Sequence, residues 1–427
     1  MRELELAEKL EILMSLAMED REGPPESNRA LPPRLRHAGD SGALRPLNIR
    51  VLRGSGRPMR LLRILMTNAC ALNCHYCPMR RDREMRRTLL KPEELVRIFL
   101  GALRRDWCEG LFITTGIPAR PEKVTDDLIA VLEMLRHTHR FAGYIHVKLV
   151  PGADEAQIER ITALATRVSV NLEAACGDTL ERIAPEKQLA RTLVTLERAR
   201  RVVVQSRDEE RAGRPRDGRQ PGGVAGMTMQ FVIGATPDSD RTILDRVTGL
   251  YAGGGIHHAH FSAFRPIRDT PMEDAPAAPA LREHRLYQAD WLVREYGFAP
   301  NEVVYGDDGN LPLAVDPKTA WALANPDLFP VEVRTAGYEQ LLRVPGIGPR
   351  SARRIVNERG AAVIRGLADL RRFGVVTTRA GGFLTLGGRR LQSVRWTQQL
   401  GFWRPEDEVG TRHEVYDFSP GTFRGVR

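Results

Sequence analysis

The sequence predicts an α/β protein: a parallel sheet flanked by helices, followed by a small helical domain. Three observations predict it. Between residues 61 and 264 short apolar runs alternate with helix-period segments about six times. Such β-then-α units place helices outside a parallel sheet, joined by right-handed crossovers. That number of units suits an open sheet or a partial barrel. Three of the five cysteines, Cys70, Cys74 and Cys77, follow the first of these runs. Residues 331–427 carry 17 Arg against 9 acidic residues, +8 of the chain's net +10. A basic C-terminal quarter suggests a polyanion partner, or else a solvated face.

The chain of 427 residues is long enough for two or three domains. No stretch approaches the roughly 18 apolar residues a membrane span needs, and the start lacks a signal-peptide pattern. Sparse cysteines gathered in one loop fit a reducing compartment, so a cytoplasmic location is expected.

In order, residues 2–18 read as an amphipathic helix with Leu6, Leu10, Leu13 and Ala17 on one stripe. Residues 19–60 are rich in Pro, Gly, Ser and Arg and read as irregular, so 1–60 is a lead-in. Strands are expected at 61–66, 110–114, 144–150, 168–172, 227–233 and 258–264. Helices are expected at 91–105, 126–136, 155–165, 187–201 and 241–251, and a further one at 281–297 leaves the sheet. The Gly/Pro-rich charged segment 206–226 reads as a surface loop. Residues 61–300 thus form the sheet domain. Residues 301–330 read as a linker with a turn capped at Asp316, 331–400 as the helical domain, and 401–427 as a tail. No internal repeat is visible.

The cysteines are spaced Cys-x3-Cys-x2-Cys in Cys70-Ala71-Leu72-Asn73-Cys74-His75-Tyr76-Cys77. Cysteine thiolates so close together are the usual ligands of iron–sulfur clusters. Three are too few to close a zinc site without a distant helper. A [4Fe–4S] cluster on three thiolates keeps one iron open for a ligand. The loop resembles that of the radical S-adenosylmethionine (radical SAM) superfamily. Within it, the chain is similar to the DNA modification/repair radical SAM proteins. The likeness extends through Gly110–Gly116, Tyr144–Gly152, Val168–Glu173, Ala184-Pro185-Glu186-Lys187, Asp316–Lys318 and Leu342–Gly348. It implies a partial (β/α)6 barrel, a [4Fe–4S] cluster and S-adenosylmethionine as cofactors, and an electron donor such as flavodoxin or ferredoxin.

By that resemblance Tyr76 lies against the adenine of the cofactor. Thr114-Thr115-Gly116 stands where the superfamily has a glycine-rich motif binding the cofactor's amino group. Asn171 and Glu173, two apart on a strand, share a face and suit the ribose or methionyl portion. His146, Lys148, His258 and His260 point into the same interior; the histidines are more often structural than catalytic. No residue is assigned as catalytic.

Leu341–Val356 looks like a helix–hairpin–helix, with Gly346-Ile347-Gly348 as the turn and Ala352, Ile355 and Val356 packing back. The backbone N–H groups of that turn and the following helix start suit a phosphate, beside Arg350, Ser351, Arg353 and Arg354. Segment 363–373 suggests a second, degenerate hairpin. The function expected is a radical SAM enzyme that repairs or modifies DNA, gripping its backbone without reading sequence. The alternatives are an RNA- or tRNA-modifying radical SAM enzyme, or a nucleic-acid-binding protein whose cluster is structural or sensory. No membrane partner is expected.

Overall fold

The structure, a computed structural model, describes residues 5–19, 49–52, 59–213, 226–360 and 364–392. The described residues fall into two compact units. One holds those up to Asp238 together with Gly249–Ala278, the other Ser239–Thr248 and those from Pro279 onward. Most of the lead-in, the tail and residues 214–225 of the expected surface loop lie outside the described residues.

In the first unit seven strands form one sheet in chain order: β1 (Ile49–Leu52), β2 (Met59–Leu65), β3 (Gly110–Thr114), β4 (Ile145–Lys148), β5 (Arg167–Glu173), β6 (Met227–Ile233) and β7 (Ile256–Ala263). β2 to β7 run parallel and curl into the expected partial barrel, while β1 pairs antiparallel with β2. β1 falls in the stretch expected to be irregular. Four residues carry too little pattern to announce a strand, and pairing with β2 makes one. The helices of this unit are α1 (Leu6–Glu19), α2 (Pro92–Arg104), α3 (Pro121–Glu133), α4 (Glu155–Leu164), α5 (Gly177–Ile183) and α6 (Leu189–Arg211), and most of α7 (Asp240–Tyr251) belongs to the second unit. α5 was not expected. α6 runs past Arg201 to Arg211, so the beginning of the expected 206–226 loop is helical.

Local chemistry starts these helices. The Asp154 carboxylate accepts the Gln157 N–H at 2.8 Å, and the Gln157 amide oxygen accepts the Asp154 N–H at 3.2 Å, capping α4 from both sides. α1 is tied to α2 by the buried Lys9 ammonium, 2.9 Å from Glu94. β3 and β4 are buried along their whole length, as parallel strands covered on both faces are. Their alternation therefore does not separate core from water. One face is apolar, with Ile113, Val147, Val168 and Met229; the other carries Phe112, His146, Lys148 and Gln230, all buried. The Lys148 ammonium donates to the Gln230 side-chain oxygen at 2.9 Å, reaching from β4 across β5 to β6. That span requires both side chains on the concave side of the curl.

The second unit contains α8 (Ala280–Glu295), α9 (Pro317–Ala324), β8 (Val331–Glu332), α10 (Tyr338–Arg343), α11 (Pro349–Glu358), α12 (Leu367–Arg372), α13 (Thr377–Ala380), β9 (Leu384–Leu386) and β10 (Arg389–Arg390). Asp316 caps α9, accepting the Thr319 N–H at 3.1 Å. One core joins Leu292, Phe298 and Trp321 to Leu341, Ile347 and Phe383. Residues 301–330 thus contribute core side chains, and this unit reaches back before 331. Their Pro-rich stretch hid a short helix whose tryptophan is buried.

α10 and α11 are joined by a turn at Gly346, and α12 and α13 by one at Gly374, with φ of +79° and +85°. The two halves repeat: Leu342, Gly346, Ile347 and Ala352 match Leu370, Gly374, Val375 and Ala380, and all but the glycines are buried in both. The turns pack together, the Val376 N–H donating to Gly346 O at 2.9 Å.

Candidate cofactor site and candidate nucleic-acid face

The cysteine loop leaves the end of β2 and is braced along its length. Ala71 N–H donates to Ile117 O and His75 N–H to Ile183 O, each at 2.7 Å. The Arg87 guanidinium donates to the carbonyls of Asn68 (2.6 Å), Met79 (2.9 Å), Arg80 (2.6 Å), Arg81 (3.4 Å) and Arg83 (3.0 Å), closing the loop from within. Arg87 escaped the sequence reading because five arginines stand between 80 and 87 with nothing to single it out. Cys74 is buried, Cys70 and Cys77 half-buried, and all three are free thiols. Burial pushes the Cys74 thiol up to about 11 and Cys77 further above the ordinary range. Among the described residues no three His, Cys, Asp or Glu side chains close on a single metal ion. A cubane cluster asks for a different arrangement, with each thiolate serving its own iron.

Glu173 ends β5 in the left-handed region, φ +67°, where the register with β6 slips. A residue with a side chain pays about 1 kcal/mol for that conformation, and such strain gathers at functional sites. Glu173 is buried, with its Oε1 2.7 Å from the Lys187 ammonium and 3.3 Å from the Asn171 amide nitrogen. The Asn171 Oδ1 is buried without a hydrogen-bond partner, an acceptor suited to a hydroxyl or ammonium donor. Burial, and then the Glu173 charge, hold the Tyr76 phenol well above its ordinary range, so it stays protonated. Tyr76, Asn171 and Glu173 thus come together beside the cysteines. The three thiols, the orphaned acceptor and the paired carboxylate fit a [4Fe–4S] cluster with S-adenosylmethionine.

Thr114 is buried, and its carbonyl accepts the Met66 N–H at 2.9 Å; the Thr115 hydroxyl donates to Gly116 O at 2.8 Å. Gly116 N–H donates to Thr67 O at 2.7 Å. A Cβ at Gly116 would stand 2.5 Å from Ala69 O, so the glycine lets this strand end pack against the root of the cysteine loop. His146 stacks on Phe112 with centroids 4.2 Å apart, and His258 meets His260 at 4.6 Å.

In the second unit Arg350, Arg353, Arg354, Arg371 and Arg372 are exposed. Arg350 lies in the first turn of α11, where N–H groups lack intrahelical acceptors, and Arg353 stands one turn on, its guanidinium 5.9 Å from the Tyr338 ring. Arg354 is engaged, 3.2 Å from Glu358 and donating to Arg372 O at 2.9 Å. Two expected contact residues point inward. Ser351 is buried against Gly374, and the Ile347 side chain belongs to the core, so neither presents its side chain to a phosphate.

The radical SAM superfamily model matches residues 64–205, a span that holds the cysteine loop, Glu173 and Lys187. No curated protein matches the chain. Among solved structures, the FeFe-hydrogenase maturase HydG from Carboxydothermus hydrogenoformans is 16% identical, over 55% of this chain and 51% of its own, with TM-score 0.44. Methylornithine synthase (PylB) is 12% identical, over 53% and 60%, with TM-score 0.40. The radical S-adenosylmethionine methyltransferase TsrM from Kitasatospora setae is 15% identical, over 52% and 39%, with TM-score 0.35. The chain therefore spans about half the length of the solved structures it matches. The cysteine loop at the end of the first parallel strand and the superfamily match agree: residues 64–205 form a radical SAM domain, of the superfamily that uses a [4Fe–4S] cluster and S-adenosylmethionine.

Proposed function

We propose that this protein is a radical SAM enzyme acting on DNA, in repair or modification. The observation that carries the DNA assignment is the paired hairpin unit, with Arg350 and Arg353 exposed on the first turns of α11. Backbone N–H groups and guanidinium groups so placed suit phosphate oxygens and read no bases. Cys70, Cys74 and Cys77 would hold the cluster. Glu173, Asn171 and Tyr76 would hold S-adenosylmethionine, Glu173 and Asn171 accepting from its hydroxyl and amino groups. When bound and given one electron by an external donor, these cofactors would supply radical chemistry that removes a hydrogen atom from the substrate. Curling the sheet around buried side chains excludes water from that space. A duplex does not enter a barrel, so the target nucleotide is single-stranded or extruded.

The test uses anaerobically prepared protein with about four iron and four sulfide per chain, a reductant and S-adenosylmethionine. DNA deuterated in base and sugar is expected to pass deuterium into 5′-deoxyadenosine. Deuterium arriving only from labelled RNA would replace the DNA assignment with the RNA-modifying one. Absence of 5′-deoxyadenosine from fully loaded, reduced protein would leave a structural or sensory cluster.

A further inference from the structure

The Ile183–Lys187 segment is fastened to the cysteine loop on both sides of Cys74. The Asn73 N–H donates to Glu186 Oε2 at 3.0 Å, and the His75 N–H to Ile183 O at 2.7 Å. Arg81 of the loop lies 3.6 Å from the other Glu186 oxygen. The segment ends in Lys187, whose ammonium is 2.7 Å from Glu173 Oε1, with side chains 12% and 4% exposed. A carboxylate that deep is costly unless paired, and Glu173 also holds a strained backbone. Burial alone would strip the Lys187 proton. The Glu173 carboxylate at 2.7 Å more than offsets this and holds its pKa above the ordinary lysine range, so it stays charged.

We propose that Lys187 is a positioning residue of the cofactor site: its ammonium fixes the Glu173 carboxylate toward the cysteine loop, and its charge beside Cys74 and Cys77 favours the reduced cluster. The proposal rests on the cluster reading above. Two fastenings flanking one cluster ligand keep the lysine in place as the loop takes up its metal. A nearby positive charge stabilises the added electron, and charge around a cluster is one of the levers on its potential.

The full-length chain is reconstituted anaerobically as wild type, Lys187→Met and Lys187→Arg. Iron and sulfide are counted, the reduction potential is followed by electron paramagnetic resonance, and S-adenosylmethionine binding is measured by equilibrium dialysis. Lys187→Met is expected to load its cluster, shift to lower potential and bind the cofactor about 10–100-fold more weakly, the usual loss when a supporting partner of a metal site is removed. Lys187→Arg is expected to keep the potential. A loaded Lys187→Met with wild-type potential and wild-type binding overturns the proposal. Should Lys187→Met fail to load, the double variant Glu173→Gln with Lys187→Met, which buries no unpaired charge, carries the test. Because Glu173 itself faces the cofactor, the double variant is read against Glu173→Gln alone: a lower cluster potential than that of Glu173→Gln supports the assignment, and an equal potential overturns it. A wild-type chain that takes up no iron and sulfide overturns the cluster reading itself, and the proposal with it.

Discussion

At the scale of residues, the chain buries several charges, and each has a nearby reason. Lys318 is the plainest. Its ammonium donates to Ile347 O at 2.6 Å and lies 4.6 Å from the Tyr296 ring, under the first hairpin turn. Burial pushes its pKa down to about 7; Asp316 pulls it back up, while Arg343 and Arg379 add to the depression. Below that value the lysine is charged in both folded and unfolded chains, and the folded state bears the full burial cost. Above it, the folded lysine is neutral while the unfolded one holds its proton to about 10.4. The unfolded state then binds more protons, so stability rises with pH, by up to about 1.4 kcal/mol per unit. Denaturant unfolding at pH 6.5, 7.5 and 8.5 is expected to show that rise for the second unit. Lys318→Met is expected to lack it; parallel curves for the two proteins would disprove the assignment. Residues differ in how far a sequence betrays them. Cys70, Cys74 and Cys77 announce themselves because their meaning lies in their spacing. Arg87 does not, and Lys187 shows only as part of a motif, because their roles come from partners the fold supplies, Glu173 for Lys187 and five loop carbonyls for Arg87.

At the scale of elements, β3 and β6 are legible to the residue, since Gly110–Thr114 and Met227–Ile233 are apolar runs with clear ends. β1 and α5 are too short to show a period. The second hairpin shows in the sequence only as a degenerate one at 363–373, for another reason. Its matching positions are a few small and apolar residues, and Val376 stands where the first copy has Gly348. What the repeat needs is a close approach between turns, and that falls on Gly346. A Cβ there would come within 2.5 Å of Val376 O and 3.1 Å of the Arg379 Cβ, at a φ that side chains avoid. Gly346→Ala is therefore expected to destabilise the second unit by about 1 kcal/mol for the backbone and about 1–3 kcal/mol for the overpacking. Gly360→Ala, whose methyl would meet nothing within 4 Å, serves as control. Equal melting of the two variants would mean that the turns do not depend on each other.

At the scale of the whole molecule, the proposed function joins a radical SAM site to an arginine-bearing unit proposed to take a phosphate backbone. Neither is selective alone. On that proposal, tethering would raise the local concentration of nucleotides available to the cofactor site without any new interaction there. The charges available for this are those not already spent. Arg354, Arg371 and Arg372 are engaged by Glu358, Thr377 and Asp369, which leaves Arg350 and Arg353, the latter over the Tyr338 ring, as the informative pair. The double variant Arg350→Ala with Arg353→Ala is expected to bind DNA more weakly and to lower the slope of log affinity against log salt by up to about two, one for each phosphate no longer neutralised. Cofactor binding is expected to be unchanged, because the cysteine loop and Glu173 belong to the other unit. Deuterium transfer from labelled DNA is then expected to fall with binding and to recover as DNA concentration is raised, since only delivery has been weakened. Transfer that persists when binding is abolished would show that the barrel takes its substrate without the hairpins. Transfer that stays low at saturating DNA would give the two arginines a role at the reacting nucleotide.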